Sequence, residues 1–124
     1  MKNFKQLIIW QKGIQIVKRV YEVAKEFPPE EKYGIISQMT RAAISIPANI
    51  SEGSSRNSEK DYARYLQLAL GSAFELQTYL AISIEMNWIK EKDIKEVETL
   101  LEEEIKMLHK FISTLNKIDH NEKR

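Results

Sequence analysis

The chain of 124 residues has no cysteine, which excludes disulfides, zinc–thiolate sites, Fe–S clusters and thiol nucleophiles together. Glycine and proline number four and three, and most of them sit where helices would stop. No apolar stretch approaches the roughly 20 residues needed to cross a bilayer. The basic N-terminus carries only Leu7-Ile8-Ile9 as a hydrophobic run, so a signal peptide is not expected and the cytoplasm is the expected location. No segment alternates with period two for long enough to suggest a sheet. What is present is 43% hydrophobic and 30% charged residues, the balance of a folded domain rather than a disordered chain. The expectation is one all-α domain over residues 1–124.

Four helices are legible. The first is expected over about 5–27, with Leu7, Trp10, Ile14, Val17, Tyr21 and Ala24 as its apolar stripe and Pro28-Pro29 as its stop. The second is expected over about 30–53. Ile35, Met39, Ala42, Ala43, Ile46 and Ile50 keep helical spacing through Pro47, which predicts one helix kinked at that proline. Asn49 and Glu52 are expected to be buried and to satisfy backbone groups freed there. Gly53 to Asn57 reads as a turn, and Ser58 followed by Asp61 as an N-terminal cap.

The third helix then runs over about 58–87 on a stripe of Tyr62, Leu66, Ala69, Ala73, Leu76, Leu80 and Ile84. Ala63, Leu70, Phe74 and Ala81 widen one flank. A second line, Tyr65, Leu68, Tyr79 and Met86, exceeds what one core needs and predicts self-association through those residues. The fourth helix, about 91–118, repeats Ile94, Leu101, Leu108 and Leu115 by seven, with Val97, Phe111 and Ile118 between them and Glu104 as the exception. Residues 119–124 read as a frayed tail.

Recognisable chemistry is missing. A di-iron carboxylate bundle needs Glu-x-x-His on two helices, but the residues three before His109 and His120 are Lys106 and Lys117. Four-helix RNases of the HEPN type place an arginine about five to seven residues before the histidine, and neither histidine has one. There is no glycine-rich phosphate loop and no HExxH. Glu102, Glu103 and Glu104 diverge by about 100° each on a helix, which disfavours a shared metal. No catalytic residue, cofactor or metal ligand is assigned, and an enzyme is not expected.

The formal net charge is only +1, but it is uneven. Residues 1–27 carry six Lys/Arg against two Glu, whereas residues 58–87 carry two against four acids. Lys5, Lys12 and Arg19 are seven apart and fall in one line, and a local excess can attract phosphate where the average cannot.

One stretch is more specific. Tyr33-Gly34, then Gln38, then the run Arg41-Ala42-Ala43-Ile44-Ser45-Ile46-Pro47-Ala48-Asn49-Ile50-Ser51-Glu52-Gly53 resembles the signature of the bacterial four-helix bundle proteins encoded by 23S rRNA intervening sequences. Trp10, Val20-Tyr21 and Phe27-Pro28 match that family's first helix. Arg56, Ser58, Tyr65-Leu66, Ala69, Gly71-Ser72 and Glu75-Leu76 match farther on. The chain departs from the pattern at Thr40-Arg41, where two basic residues are common, and at Ser51, where alanine is common.

The resemblance implies an antiparallel up-down four-helix bundle. It also implies similarity to the accessory protein of diversity-generating retroelements, whose members form ring-like homopentamers with a basic surface that engages nucleic acid and a reverse transcriptase. The leading expectation is therefore a non-catalytic homo-oligomer, a pentamer by that resemblance, serving as a scaffold on RNA or DNA. Lys5, Lys12, Arg19, Arg41, Arg56, Lys60 and Arg64 are the candidate contacts. The alternative is a protein–protein adaptor that binds no nucleic acid.

Overall fold

The computed structural model describes residues 3–122. Asn3 opens it: its side-chain oxygen accepts from the amide of Lys5 at 3.0 Å and caps a single 3-10 turn, Phe4–Gln6. Helix α1 follows over Ile8–Ala24. It unwinds through a turn that buries Phe27 ahead of Pro28-Pro29, where the ring constraint forbids continuation. A 3-10 turn, Pro29–Glu31, leads into α2, Ile35–Ser54. Helix α2 is thus shorter at its start than the expected 30–53, because Gly34, at φ −103 and ψ −108, leaves helical geometry just before Ile35.

Helix α2 continues across Pro47, whose ring is buried. Asn49 Nδ2 donates to the Ser45 carbonyl at 2.9 Å and to Ser45 Oγ at 2.8 Å. Pro47 frees the carbonyl of Ala43, four residues back, so Asn49 serves a different group from the one expected. Glu52 is exposed and paired with Arg56. The expected role for these two residues is therefore corrected: one stiffens the helix beside the proline, and the other faces solvent.

Helix α3, Glu59–Glu85, starts as its cap predicts, with Ser58 Oγ accepting from the Asp61 amide at 3.1 Å. Its end is a left-handed cap at Asn87, φ 61. The amides of Asn87 and Trp88 donate back to the carbonyls of Ile84 and Ser83, both at 3.0 Å, the paired bonds of a Schellman motif. A 3-10 turn, Glu91–Ile94, enters α4, Lys95–Glu122. Residues 119–122 are helical rather than frayed; Lys123 and Arg124 of the expected tail lie outside the described residues.

Among the described residues there is no strand, and the four helices pack as a bundle. Gln38 meets Tyr79, Ser45 meets Ser72, and Gly53 meets Tyr62, so contacts advance along α2 as they retreat along α3. Lys12 meets Glu103 and Arg19 meets Glu96, the same relation between α1 and α4. The core is built from Ile16, Val20, Met39, Ile46, Ile50, Leu66, Leu76, Leu80, Leu101 and Leu108, all 2% exposed or less. Each such aliphatic side chain contributes about 1.5–3 kcal/mol by leaving water.

The core corrects the reading of α1. The buried stripe is Ile9, Gly13, Ile16, Val20 and Val23, while Ile14 and Tyr21 are 41% and 48% exposed. The cause is Gly13, which has no side chain and so makes the true stripe look interrupted. Its missing Cβ would sit 3.2 Å from Pro47 Cβ and 3.3 Å from Glu104 Oε2, and that close approach orients the whole helix. In α3 the buried positions include Ser72 and Ser83, with Ile84 half-buried and Phe74 46% exposed. In α4, Ile112 is buried and Ile118 is 39% exposed, because a straight helix of 3.6 residues per turn drifts off a strict repeat of seven.

Two glycines separate packing from propensity. Gly53 faces Tyr65 Cβ at 2.8 Å and the Tyr62 carbonyl at 3.2 Å, whereas nothing lies within 4 Å of the Gly71 position. In urea melts, Gly71→Ala should raise the stability of the fold by about 0.5–1 kcal/mol. Gly53→Ala should lower it by about 1–3 kcal/mol, because neither neighbour is a side-chain tip that can yield.

Candidate nucleic-acid interface

The seven basic residues divide into two groups. On α1, Lys12 Nζ lies 2.7 Å from Glu103 Oε1, and Arg19 bonds Glu22 at 2.8 Å and Glu96 at 2.9 Å. Both side chains therefore tie α1 to α4. Of the line expected from their sevenfold spacing, Lys12 and Arg19 share α1 and are neutralised locally, whereas Lys5 precedes the helix and is cut off from it by extended Leu7. Lys5, in the leading 3-10 turn, is exposed.

The second group surrounds the α2–α3 turn. Arg56, at the end of α2, bonds Glu52 at 3.0 Å and donates to the Tyr65 hydroxyl at 2.8 Å. Its guanidinium carbon stands 4.6 Å from the centre of the Tyr65 ring. Arg64 stands 4.8 Å from the same centre and 3.7 Å from Asp61. The turn capped by Ser58 thus folds the end of α2 back over the first turns of α3, and one aromatic ring holds two guanidinium groups. Stacking on a ring face orients a guanidinium while leaving its N–H fork open to oxygen.

Arg41 and Lys60 are exposed, and among the described residues neither has a carboxylate within ion-pair distance. Arg41 precedes Glu52 by eleven residues, about 20° off three full turns, so it shares that outer side of α2. Four of the seven candidates, Arg41, Arg56, Lys60 and Arg64, therefore lie on α2, the α2–α3 turn and the start of α3. Lys12 and Arg19 lie elsewhere.

Beside this group runs an open groove of about 410 Å³ between α2 and α3, lined by Ser45, Asn49, Gln67, Leu68, Gly71, Ser72 and Glu75. Ser72 Oγ sits 2.8 Å from Ser45 Oγ, which also accepts from Asn49, so the floor is a short polar chain. Of the four candidate interface residues, Leu68 and Met86 are 49% and 54% exposed. Tyr65 and Tyr79 are half-buried; the Tyr79 hydroxyl lies 3.4 Å from Gln38 Oε1 and from Glu75 Oε2. Sequence reading assigned Tyr65 to an oligomer contact and missed its place under Arg56 and Arg64. The adjacent Arg64 was the available signal; the return of Arg56 depended on the geometry of the turn. It also missed Ile44 and Ile82, 45% and 42% exposed.

The family model of the 23S rRNA-intervening sequence protein matches residues 5–110, a span that contains α1, α2, α3 and the first half of α4. The chain belongs to that family. It is also similar to a protein of unknown function from the S23 ribosomal protein family of Bacteroides thetaiotaomicron, with a TM-score of 0.78 and 24% identity over 85% of this chain and 98% of that one. That likeness concerns the fold. No curated protein matches the chain. Among the described residues, no helix is long and apolar enough to cross a membrane, and no group of three or more His, Asp or Glu is placed to hold a metal ion.

The stack on Tyr65 is open to direct measurement. A double-mutant cycle of Arg56→Ala with Tyr65→Leu should give a coupling of about 0.5–1 kcal/mol, the size of an exposed cation–π contact. A similar coupling is expected between Arg64→Ala and Tyr65→Leu.

Proposed function

We propose that the chain is a non-catalytic, homo-oligomeric scaffold that associates with RNA or DNA through backbone phosphates. The observation that carries this reading is the set of basic side chains on α2, the α2–α3 turn and the start of α3. Arg56 in the turn and Arg64 on α3 are held against Tyr65, with Arg41 exposed on α2 and Lys60 on α3. Guanidinium groups held in place suit phosphate oxygen, and the Tyr65 ring already carries two of them, which favours backbone contact over base stacking. Sequence-specific reading is not part of the proposal, since among the described residues no groove-reading element stands out from the bundle.

Self-association rests on apolar side chains left outside the core. Ile14, Tyr21, Ile44, Leu68, Ile82 and Met86 are all between 41% and 54% exposed. Five copies follow the family resemblance. The same exposed residues support the second reading, an adaptor that docks protein partners without nucleic acid.

Fluorescence anisotropy with structured RNA and duplex DNA separates the two. Binding should weaken steeply between about 50 and about 200 mM salt as released counterions are resupplied. The combined variant Arg41→Ala, Arg56→Ala, Arg64→Ala should lose most affinity, whereas Lys12→Ala should keep it. Absence of binding at the lower salt would overturn the scaffold and leave the adaptor. Light scattering should give a mass several times 14.5 kDa, and a monomer would overturn self-association.

A further inference from the structure

Glu104 occupies a core position on α4 and is 0% exposed. Neither carboxyl oxygen has a hydrogen-bond partner. Its surroundings are shaped to receive it. On α1, Gly13 leaves a hollow in which Oε2 lies 3.3 Å from where a Cβ would be, and on α2 Pro47 closes the same hollow with its ring. One residue along each helix, Lys12 and Glu103 form an ion pair of 2.7 Å at the rim, with the Lys12 side chain only 19% exposed. Buried acid inside and ion pair outside are thus set at one register of the α1–α4 seam.

We propose that Glu104 is the neutral acid in the closed bundle, and that its ionisation is a proton-linked latch that releases the α1–α4 seam. A buried neutral carboxyl without a partner forfeits its hydrogen bonds, and an unpaired buried carboxylate forfeits the solvation of a full charge as well, which is the larger loss. Once ionised, Glu104 has two ways to recover solvation: drawing Lys12 away from Glu103, or parting α1 from α4. The first exchanges one α1–α4 ion pair for another and breaks the rim pair with Glu103; the second opens the seam, and it is the one the latch uses. The charged groups at this point are Lys12 on α1 and Glu103 on α4 itself; α2 presents the Pro47 ring, and α3, the other helix packed on α4, brings no charge to bear on Glu104. Burial pushes the Glu104 carboxyl up from 4.5 to about 8, with Lys12 pulling it partly back.

The sign follows. The folded chain holds a proton that the unfolded chain releases, so this contribution to stability is complete below about pH 4.5 and is lost as pH rises through about 8. Between those limits, the folding equilibrium constant of the native chain, divided by that of Glu104→Gln, should fall about tenfold per pH unit. Parallel pH profiles for the two proteins would overturn the proposal.

Carboxyl carbon NMR on the intact native chain reads the same group directly and does not depend on the variant folding. The Glu104 resonance should titrate near 8, and Lys12→Met should move its midpoint upward while Lys110→Met leaves it in place. A midpoint near 4.5, or one indifferent to Lys12, would overturn the proposal. Hydrogen exchange at about pH 6.5 and about pH 9, corrected for intrinsic rates, locates the opening. Protection should fall in α1 and α4 ahead of α2 and α3, and a uniform loss would rule out a latch on that seam.

Discussion

Helix α1 comes closest to the Pro47 ring of α2 at Gly13, where it has no side chain. Gly13 meets the Pro47 ring at a distance where even a methyl group would press on it, and the rest of α1 follows from that contact. With Gly13 turned inward, Ile9, Ile16, Val20 and Val23 are carried into the core, while Ile14 and Tyr21 are carried out. The same contact decides the far side of the bundle. Glu104 on α4 occupies space that a larger residue at position 13 would fill, so one glycine sets the seating of three helices. Close packing makes such a point rigid, since its neighbours have no slack to absorb a shift.

Legibility from sequence depended on whether the signal was local. The stop at Pro28-Pro29, the cap at Ser58 and the apolar stripes of α2 and α3 could all be read, because each rests on residues within a turn or two of one another. The phase of α1 could not, because its bulky residues at 7, 10, 14, 17, 21 and 24 form a better-looking stripe than the one interrupted by Gly13. Choosing between them required knowing what lay opposite. The pairs Lys12–Glu103 and Arg19–Glu96 were hidden for the same reason: they join residues more than seventy positions apart. Glu104 stood out as an exception in its heptad, but the hollow that receives it is made by two other helices.

These pairings change how the charge distribution is read. The basic excess of the first segment suggested a strip along α1, yet Lys12 and Arg19 spend their charge on α4 acids. Exposed pairs of this kind contribute little to stability, typically below about 1 kcal/mol. They do remove both partners from the field seen by a distant polyanion. The local attraction shifts to the α2–α3 turn, where Arg56 and Arg64 also face Glu52 and Asp61. A phosphate approaching there competes with carboxylates rather than entering an open basic patch. Contacts made by exchange of this kind are individually weak.

Weak individual contacts and exposed apolar side chains bear on one another. A single subunit offers few cations to a phosphate chain, and each contact releases about one counterion. Several subunits held together offer the same few cations repeatedly, and the second contact of an assembled pair forms at a high effective concentration. The apolar side chains outside the core, Ile14 and Tyr21 on α1, Ile44 on α2, Leu68, Ile82 and Met86 on α3, would be the means to the assembly proposed above. A latch on the α1–α4 seam would act on it as well. Ile14 and Tyr21 keep their outward direction only while Gly13 remains against Pro47 and Glu104. A change of protonation in the core therefore reaches the outer face of α1 through the same glycine that sets the helix in place.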